Sequence, residues 1–152
     1  KAVRAVVTDK EGKIALLHVK NHNYYKLPGG GIEVGEDKLA ALKRECKEEI
    51  GSGIELVGEV GSIVEYRKVF NLKQISYCYL AKLKGKKGKP KFTDEEIDDG
   101  FEEVWLSYNE ALHVLSKNVA SSFEGKTYIV PRDTVFLKEA NSSFPTQTKK
   151  HK

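Results

Sequence analysis

The segment Glu36–Ile50 constrains the fold of this 152-residue chain most strongly, because it has the pattern of an amphipathic helix. Its apolar residues recur at spacings of three and four, which places them on one helical face: Leu39, Leu42, Cys46 and Ile50. Asp37 is a favourable N-cap residue, and Gly51 follows as a C-terminal stop. We therefore predict a helix that packs one face into a core.

Strands are predicted before and after this helix. Residues 2–9 alternate as a half-buried strand, and residues 14–19 return after a turn, which predicts a hairpin. Further strands are predicted at 24–27, 54–66, 69–72, 74–83 and 101–106. Further helices are predicted at 109–117 and 134–140, the last beginning near Pro131, which suits a first helical turn. The run Pro28–Gly31 fits neither a helix nor a regular strand. The mixture favours the α/β class, with helices on two faces of a mixed sheet.

Composition narrows the class of protein. Charged residues make up 32% of the chain and hydrophobic residues 39%, which is typical of a globular domain. No stretch of 18 apolar residues predicts a membrane span, and residues 1–9 lack the apolar run of a signal peptide. Two cysteines, Cys46 and Cys78, are too few for a disulfide framework. We expect a cytoplasmic protein with one domain over residues 1–141 and a flexible tail over 142–152.

Three carboxylates share one face of the predicted helix. At about 100° per residue, Glu48 and Glu49 lie on either side of Glu45 around the helix axis. Like charges at these spacings repel, and a divalent cation removes that penalty. Carboxylate oxygens suit Mg²⁺, with Mn²⁺ as the alternative. A solvated glutamate-rich surface is the ordinary alternative for these three residues taken alone.

A longer pattern surrounds the three carboxylates and resembles the Nudix box, the signature of the Nudix hydrolase family. All its fixed positions are present: Gly30, Glu36, Arg44, Glu45, Glu48, Glu49 and Gly51. Cys46 and Ser52 stand at two aliphatic positions of the box. Cys46 still fits as a small buried residue, whereas Ser52 is expected to lose a packing contact.

The resemblance implies a Nudix-type α/β/α sandwich with a mixed β-sheet, and it implies roles for the box residues. Glu45, Glu48 and Glu49 would bind the divalent metal. Arg44 and Glu36 would form a structural pair that braces the loop against the helix. Gly30 would allow a tight turn, and Gly51 would end the helix.

A further acid from a later loop is implied as a metal ligand or general base. Glu96 is the favoured residue and Glu95 the next, in the stretch Thr93–Ile97. A merely solvated acidic loop is the alternative for this stretch.

The activity implied is Mg²⁺-dependent hydrolysis of a phosphoanhydride bond, with Glu48 or Glu96 as catalytic base. The substrate would be a small nucleotide, either a nucleoside diphosphate derivative or a nucleoside triphosphate. The resemblance is compatible with a homodimer, and we expect neither a membrane nor a nucleic acid as partner.

Substrate markers of two family branches, a proline and a later tyrosine beyond the box, are not satisfied by residues 65–70. Tyr24 could stack on a base, with core or sheet packing as the alternative. Arg67 and Lys68 could hold phosphate, with a solvated strand edge as the alternative.

Two other functions remain open on the same fold. One is a catalytically silent nucleotide-binding sensor, which the intact set of acids opposes. The other is an RNA-binding or decapping-like protein that uses the six lysines between Lys82 and Lys91. The short chain, with no added RNA-binding domain, opposes this second function.

Overall fold

The structure is a computed structural model and describes residues 1–67 and 71–142. Within this part of the chain, seven strands form one mixed sheet: Ala2–Thr8 (β1), Ile14–Val19 (β2), Tyr24–Lys26 (β3), Gly29–Gly31 (β4), Gly53–Arg67 (β5), Leu72–Lys84 (β6) and Phe101–Leu106 (β7). The order is β3-β2-β1-β6-β5, with β4 paired to β1 and β7 to β2. The β1–β6 pair is parallel and the other pairs are antiparallel.

The described residues also form four α-helices: Lys38–Ile50 (α1), Asp94–Asp98 (α2), Tyr108–Lys117 (α3) and Val130–Asn141 (α4). A short 3-10 turn spans Lys20–His22, and a π-helical stretch, Gly125–Ile129, leads into α4. The structure confirms the predicted mixed α/β sandwich.

The core has two layers, one on each face of the sheet. On one face, Val3, Ala5 and Val7 of β1 pack with the apolar side of α1. On the other face, Val6 packs with apolar residues of α3 and α4 such as Leu115. Because β1 is covered on both faces, it is buried almost along its whole length, and α1 and α4 lie on opposite sides of it.

Helix α1 forms as the sequence predicts. The Asp37 side chain accepts a hydrogen bond of 2.7 Å from the Ala40 amide and so caps the helix. Gly51 has a φ of 63° in the left-handed region, which ends the helix. Leu39 is the exception on the predicted apolar stripe, because it is exposed and Ala41 takes its place in the core.

Two elements differ from the sequence prediction. The glycine run contains a strand, β4, because Gly29, Gly30 and Gly31 pair with Arg4, Val3 and Ala2 of β1. The stretch predicted as an acidic loop contains α2, which a capping box of Thr93 and Glu96 begins.

The remaining predicted elements are found, except that the described part of the strand predicted at 69–72 forms no strand of its own: Asn71 lies in a turn with a φ of 49°, and Leu72 begins β6. Helix α4 begins at Val130, next to the predicted start near Pro131. Cys46 and Cys78 are free and buried. Lys68 and the start of the predicted strand 69–72 lie outside the described residues, as do positions 143–152 of the predicted tail. Among the described residues, no helix has the length and apolar character needed to cross a membrane.

Candidate active site

A cavity of about 320 Å³ lies where α1, β4, α2 and the start of α4 meet. Four carboxylates line it: Glu45, Glu49, Glu96 and Asp99. Three cationic side chains line it as well: Arg4, Lys26 and Arg132. The fold therefore brings predicted site residues from α1 and α2 together with cations that the sequence analysis did not select.

Glu49 is the most buried carboxylate of this cavity, with 1% of its surface exposed. Its Oε1 accepts a 2.8 Å hydrogen bond from the Gly29 amide, and its Oε2 lies 3.6 Å from Lys26 Nζ. Burial raises the pKa of Glu49 to about 8 despite these partners, and the neighbouring Glu45 and Glu96 add to the rise. A negative charge at this position therefore lacks full compensation.

Glu45 lies one helical turn before Glu49 and is also largely buried. Its Oε2 accepts a 3.0 Å hydrogen bond from Arg44 Nη1. Burial raises the pKa of Glu45, although the charge of Arg44 and its hydrogen bond oppose the rise. Glu45 and Glu49 thus face the cavity as a pair of desolvated acids.

Glu48 differs from its two neighbours on α1. Its side chain is 38% exposed, and its Oε1 lies 3.5 Å from Arg44 Nη1. It is not among the residues that line the cavity. The predicted trio is therefore split in this structure, with two acids in the cavity and Glu48 at the surface beside Arg44.

Glu96 reaches the same cavity from α2 and lies beside Glu49. Its Oε1 also accepts a 2.9 Å hydrogen bond from the Thr93 amide in the capping box. The capping box therefore orients the carboxylate that the sequence analysis favoured in this stretch. Glu95, the second choice, does not line the cavity.

The box residues with predicted structural roles surround the carboxylates. Arg44 binds Glu36 through two hydrogen bonds, which is the pair that the resemblance implies. Gly30 lies directly against the Glu45 carboxylate, where a Cβ would collide with it. Gly51 packs on the backbone of Gly88 and Lys89, in addition to ending α1.

Of the two predicted substrate contacts that the structure describes, Tyr24 lines the cavity and Arg67 does not. Burial, with the charge of Glu124, raises the pKa of Tyr24 to about 12. Arg67 is buried elsewhere and donates a 2.6 Å hydrogen bond to Glu124. Its guanidinium also lies 4.7 Å from the centre of the Tyr128 ring. Arg67 therefore joins two neighbouring side chains, and the predicted role of Lys68 falls outside the described residues.

The chemistry of the donor set fits a hard divalent cation, since three of the four carboxylates that line the cavity come from the helices α1 and α2: Glu45, Glu49 and Glu96. Their spacing is not preformed, because among residues 1–67 and 71–142 no three His, Cys, Asp or Glu side chains converge closely enough to hold an ion. Glu49 faces the Gly29 amide and Glu45 faces Arg44 instead. Binding an ion would therefore require these side chains to turn towards it.

A family model described as NUDIX domain matches residues 1–126 of the chain. A curated relative, the RNA pyrophosphohydrolase of Pelagibacter ubique (strain HTCC1062), is 31% identical over 90 residues. That alignment covers 57% of this chain and 56% of the relative, so the chain spans little more than half the length of the protein it matches.

Solved structures share the fold. A NUDIX hydrolase from Nitrosomonas europaea superposes with a TM-score of 0.72 at 16% identity, over 93% of this chain and 88% of that one. An Ap4A hydrolase from C. elegans, in a binary complex, superposes with a TM-score of 0.64 at 16% identity. That superposition covers 96% of this chain and 99% of the other. At these identities the likeness concerns the fold.

Proposed function

The chain belongs to the Nudix family, and from that premise we propose that it is a pyrophosphohydrolase that cleaves a phosphoanhydride bond of a small nucleotide. The substrate class is a nucleoside diphosphate derivative or a nucleoside triphosphate. One observation carries the proposal: Glu45, Glu49 and Glu96 line a single cavity, and burial raises the pKa of the first two. Buried carboxylates of this kind favour a cation, and a cation favours a phosphate chain.

Mg²⁺, or Mn²⁺ in its place, would be held by Glu45, Glu49 and Glu96, with Glu48 as a further ligand once its side chain turns inwards. A bound ion of this type supplies charge neutralisation for phosphate oxygens and lowers the pKa of water. The amide of Gly29 and the ammonium of Lys26 hold Glu49 in the cavity wall, from which its carboxylate would turn to the ion. Arg44 holds Glu45 in the wall in the same way.

The reaction is the attack of water on phosphorus. A new P–O bond forms as the bond from phosphorus to the bridging oxygen breaks, and that oxygen leaves on the second phosphate group. The proton of the attacking water passes to Glu96, with Glu48 as the alternative base. Glu96 is the better placed of the two, because it lines the cavity while Glu48 lies outside its lining.

A second candidate substrate is the 5′ end of an RNA. It is supported by the name of the Pelagibacter relative, RNA pyrophosphohydrolase, and it runs against our expectation that nucleic acid is not a partner. The lysines of residues 82–91 would supply the electrostatic contact. One of them, Lys87, is already engaged, since its Nζ lies 2.9 Å from Asp9 and 4.1 Å from the centre of the Trp105 ring.

The cellular setting is also part of the proposal. The two free cysteines fit a reducing compartment, and we propose a cytoplasmic location. A homodimer stays an expectation from the family resemblance.

The test is a panel of nucleoside triphosphates, nucleoside diphosphate derivatives and 5′-triphosphorylated RNA, assayed with Mg²⁺, with Mn²⁺ and with EDTA. Products are identified by ³¹P NMR. Glu45→Gln, Glu49→Gln and Glu96→Gln are each expected to lose about 10²–10⁴-fold in turnover. Glu55→Gln is the matched control, because Glu55 is an exposed carboxylate of β5.

Two results would count against this function. Turnover that persists in EDTA, or in all three folded variants, would show that these carboxylates and a bound ion do not take part in the reaction. Nucleotide binding without turnover of any substrate would favour the silent sensor.

A further inference from the structure

Two arginines, Arg4 of β1 and Arg132 of α4, line the cavity that also holds the carboxylates. Arg4 is 7% exposed and Arg132 is 3% exposed, so both guanidinium groups are nearly removed from solvent. They come from elements far apart in the sequence that meet on the α4 side of the sheet. Buried guanidinium groups need a partner for each donor, because a buried charged donor without an acceptor is costly.

Several donors of these guanidinium groups lack an acceptor. Arg132 Nε donates a 2.8 Å hydrogen bond to Asp133 Oδ1. Its Nη1 and Nη2 are buried and have no hydrogen-bond partner among the described residues, and Nη1 lies 3.5 Å from Glu65 Oε1 at ion-pair distance only. Arg4 Nε is likewise buried without a partner. Buried charged donors left unpaired are rare unless a ligand completes them.

The charges of the two arginines act on each other. Burial and the charge of Arg132 lower the pKa of Arg4 to about 10, so Arg4 keeps its proton at neutral pH. The Asp133 carboxylate already accepts two hydrogen bonds, one from Arg132 Nε and one of 2.9 Å from the Leu27 amide. The two arginines therefore keep unpaired, positively charged donors that an anion in the cavity could accept from.

We propose that Arg4 and Arg132 form a subsite for a phosphate group of the substrate, separate from the diphosphate held at the carboxylates. This inference rests on the proposed function for its substrate, and it narrows the class to molecules with a third phosphate group. Guanidinium forks match the oxygens of phosphate in both geometry and charge. A neutral sugar or base at this position would leave Arg4 Nε and Arg132 Nη1 and Nη2 without a charged acceptor.

Metal-free anion binding tests the subsite without reference to turnover. The full chain in EDTA is titrated with inorganic triphosphate by calorimetry. Wild type is expected to bind, and Arg4→Gln and Arg132→Gln are each expected to bind at least about 10-fold more weakly, the loss typical of one charged hydrogen-bonded contact. Lys38→Gln is the control of equal charge change, because Lys38 Nζ lies 3.9 Å from the centre of the Tyr77 ring and outside the cavity.

Variants that fail to fold do not block the test. In the wild-type chain labelled with ¹⁵N, the Nε–Hε signals of Arg4 and Arg132 should shift on addition of inorganic triphosphate in EDTA. Conservative Arg4→Lys and Arg132→Lys variants identify the two signals by their loss. Absence of binding, or binding that leaves both signals unmoved, overturns the subsite. Equal weakening in Lys38→Gln overturns it too, since that would reflect total charge.

The subsite and the proposed function fail separately. If anion binding in EDTA depends on the two arginines but no nucleotide is hydrolysed, the hydrolase function is wrong and the subsite stands. If nucleotides are hydrolysed and the arginine variants bind triphosphate normally, the subsite is wrong and the hydrolase function stands. In the working enzyme, the variants should raise KM for substrates with three phosphate groups more than for substrates with two.

Discussion

Arg44 on α1 grips the carboxylate of Glu36 with two hydrogen bonds, 2.7 Å from Nε to Oε2 and 3.0 Å from Nη2 to Oε1. The same guanidinium donates to Gly31 O and to Glu45 Oε2, each at 3.0 Å. One side chain thus joins the loop before α1, the glycine strand and a carboxylate of the cavity. Because its planar fork makes all these bonds at once, lysine cannot replace it.

Arg44→Lys is therefore expected to weaken Mg²⁺ binding by about 10–100-fold while the chain stays folded, the usual loss when a partner of a metal ligand is removed. Calorimetric titration measures the affinity for Mg²⁺, and circular dichroism shows whether the variant is folded. Lys43→Arg is the control, since Lys43 is an exposed neighbour on α1. Unchanged affinity in folded Arg44→Lys would show that Arg44 does not position Glu45.

Gly30→Ala should reduce activity without unfolding the chain. A Cβ at this position would collide with the Glu45 carboxylate, the movable end of that side chain, which would turn out of the cavity. We expect turnover to fall by about 10-fold or more, on the scale of a disturbed metal site. Gly31→Ala is the control, because a Cβ at Gly31 has nothing within 4 Å. Steady-state kinetics should separate the two, and equal activity would contradict the prediction.

Asp133 should make the folded state sensitive to acid. Burial by itself would raise the pKa of Asp133, but the charges of Arg132 and Arg4, with hydrogen bonds from Arg132 and the Leu27 amide, lower it on balance. A carboxyl whose folded pKa is lowered stabilises the fold above the unfolded pKa of about 3.9. That contribution disappears as pH falls through the folded value.

Asp133→Asn is therefore expected to lower the free energy of unfolding by about 3–5 kcal/mol near neutral pH, the cost of leaving a buried charge unpaired. The difference in free energy of unfolding between wild type and Asp133→Asn should become smaller below a pH of about 3.9. Urea unfolding at a series of pH values gives both quantities, with the exposed Glu55→Gln as control. A gap of the same size at every pH would refute the assignment.

Tyr24 is expected to contribute its ring rather than its hydroxyl to the substrate. The ring lies in the cavity wall, and its Cδ2 is 2.8 Å from where a Cβ on Gly125 would stand. Base stacking on an aromatic side chain is worth about 1–3 kcal/mol, so Tyr24→Ala should raise KM by about 5–150-fold. Tyr24→Phe should remain close to wild type, and a matching loss in both variants would point to the hydroxyl instead.

The helix and the sandwich were predictable because their signals are local. Asp37, the apolar spacing and Gly51 each act within one or two turns of α1. Each does what the sequence indicates, apart from the exposed Leu39 on the apolar stripe. The α2 helix was missed because five residues are too few for a periodic signal, although the Thr93 and Glu96 spacing of a capping box was available.

The cationic wall of the cavity could not be predicted in the same way. Arg4 and Arg132 meet only when β1 and α4 pack on the same side of the sheet, which no local pattern encodes. The available signal was Arg4, an arginine inside the otherwise apolar strand β1. Ser52 was expected only to lose a packing contact. In the structure its hydroxyl instead donates a hydrogen bond to Ile50 O and accepts one from the Gly88 amide.

The contact of Gly51 with Gly88 and Lys89 limits where the length of this chain can vary. The Lys91 amide donates a 2.6 Å hydrogen bond to Glu48 O, so the end of α1 grips the lysine-rich connection just before Thr93. The number of residues between the Lys91 hydrogen bond and Glu96 then fixes where the Glu96 carboxylate lies relative to α1. Adding or removing a residue between Lys91 and Glu96 would therefore move the Glu96 carboxylate relative to Glu45 and Glu49 in the cavity.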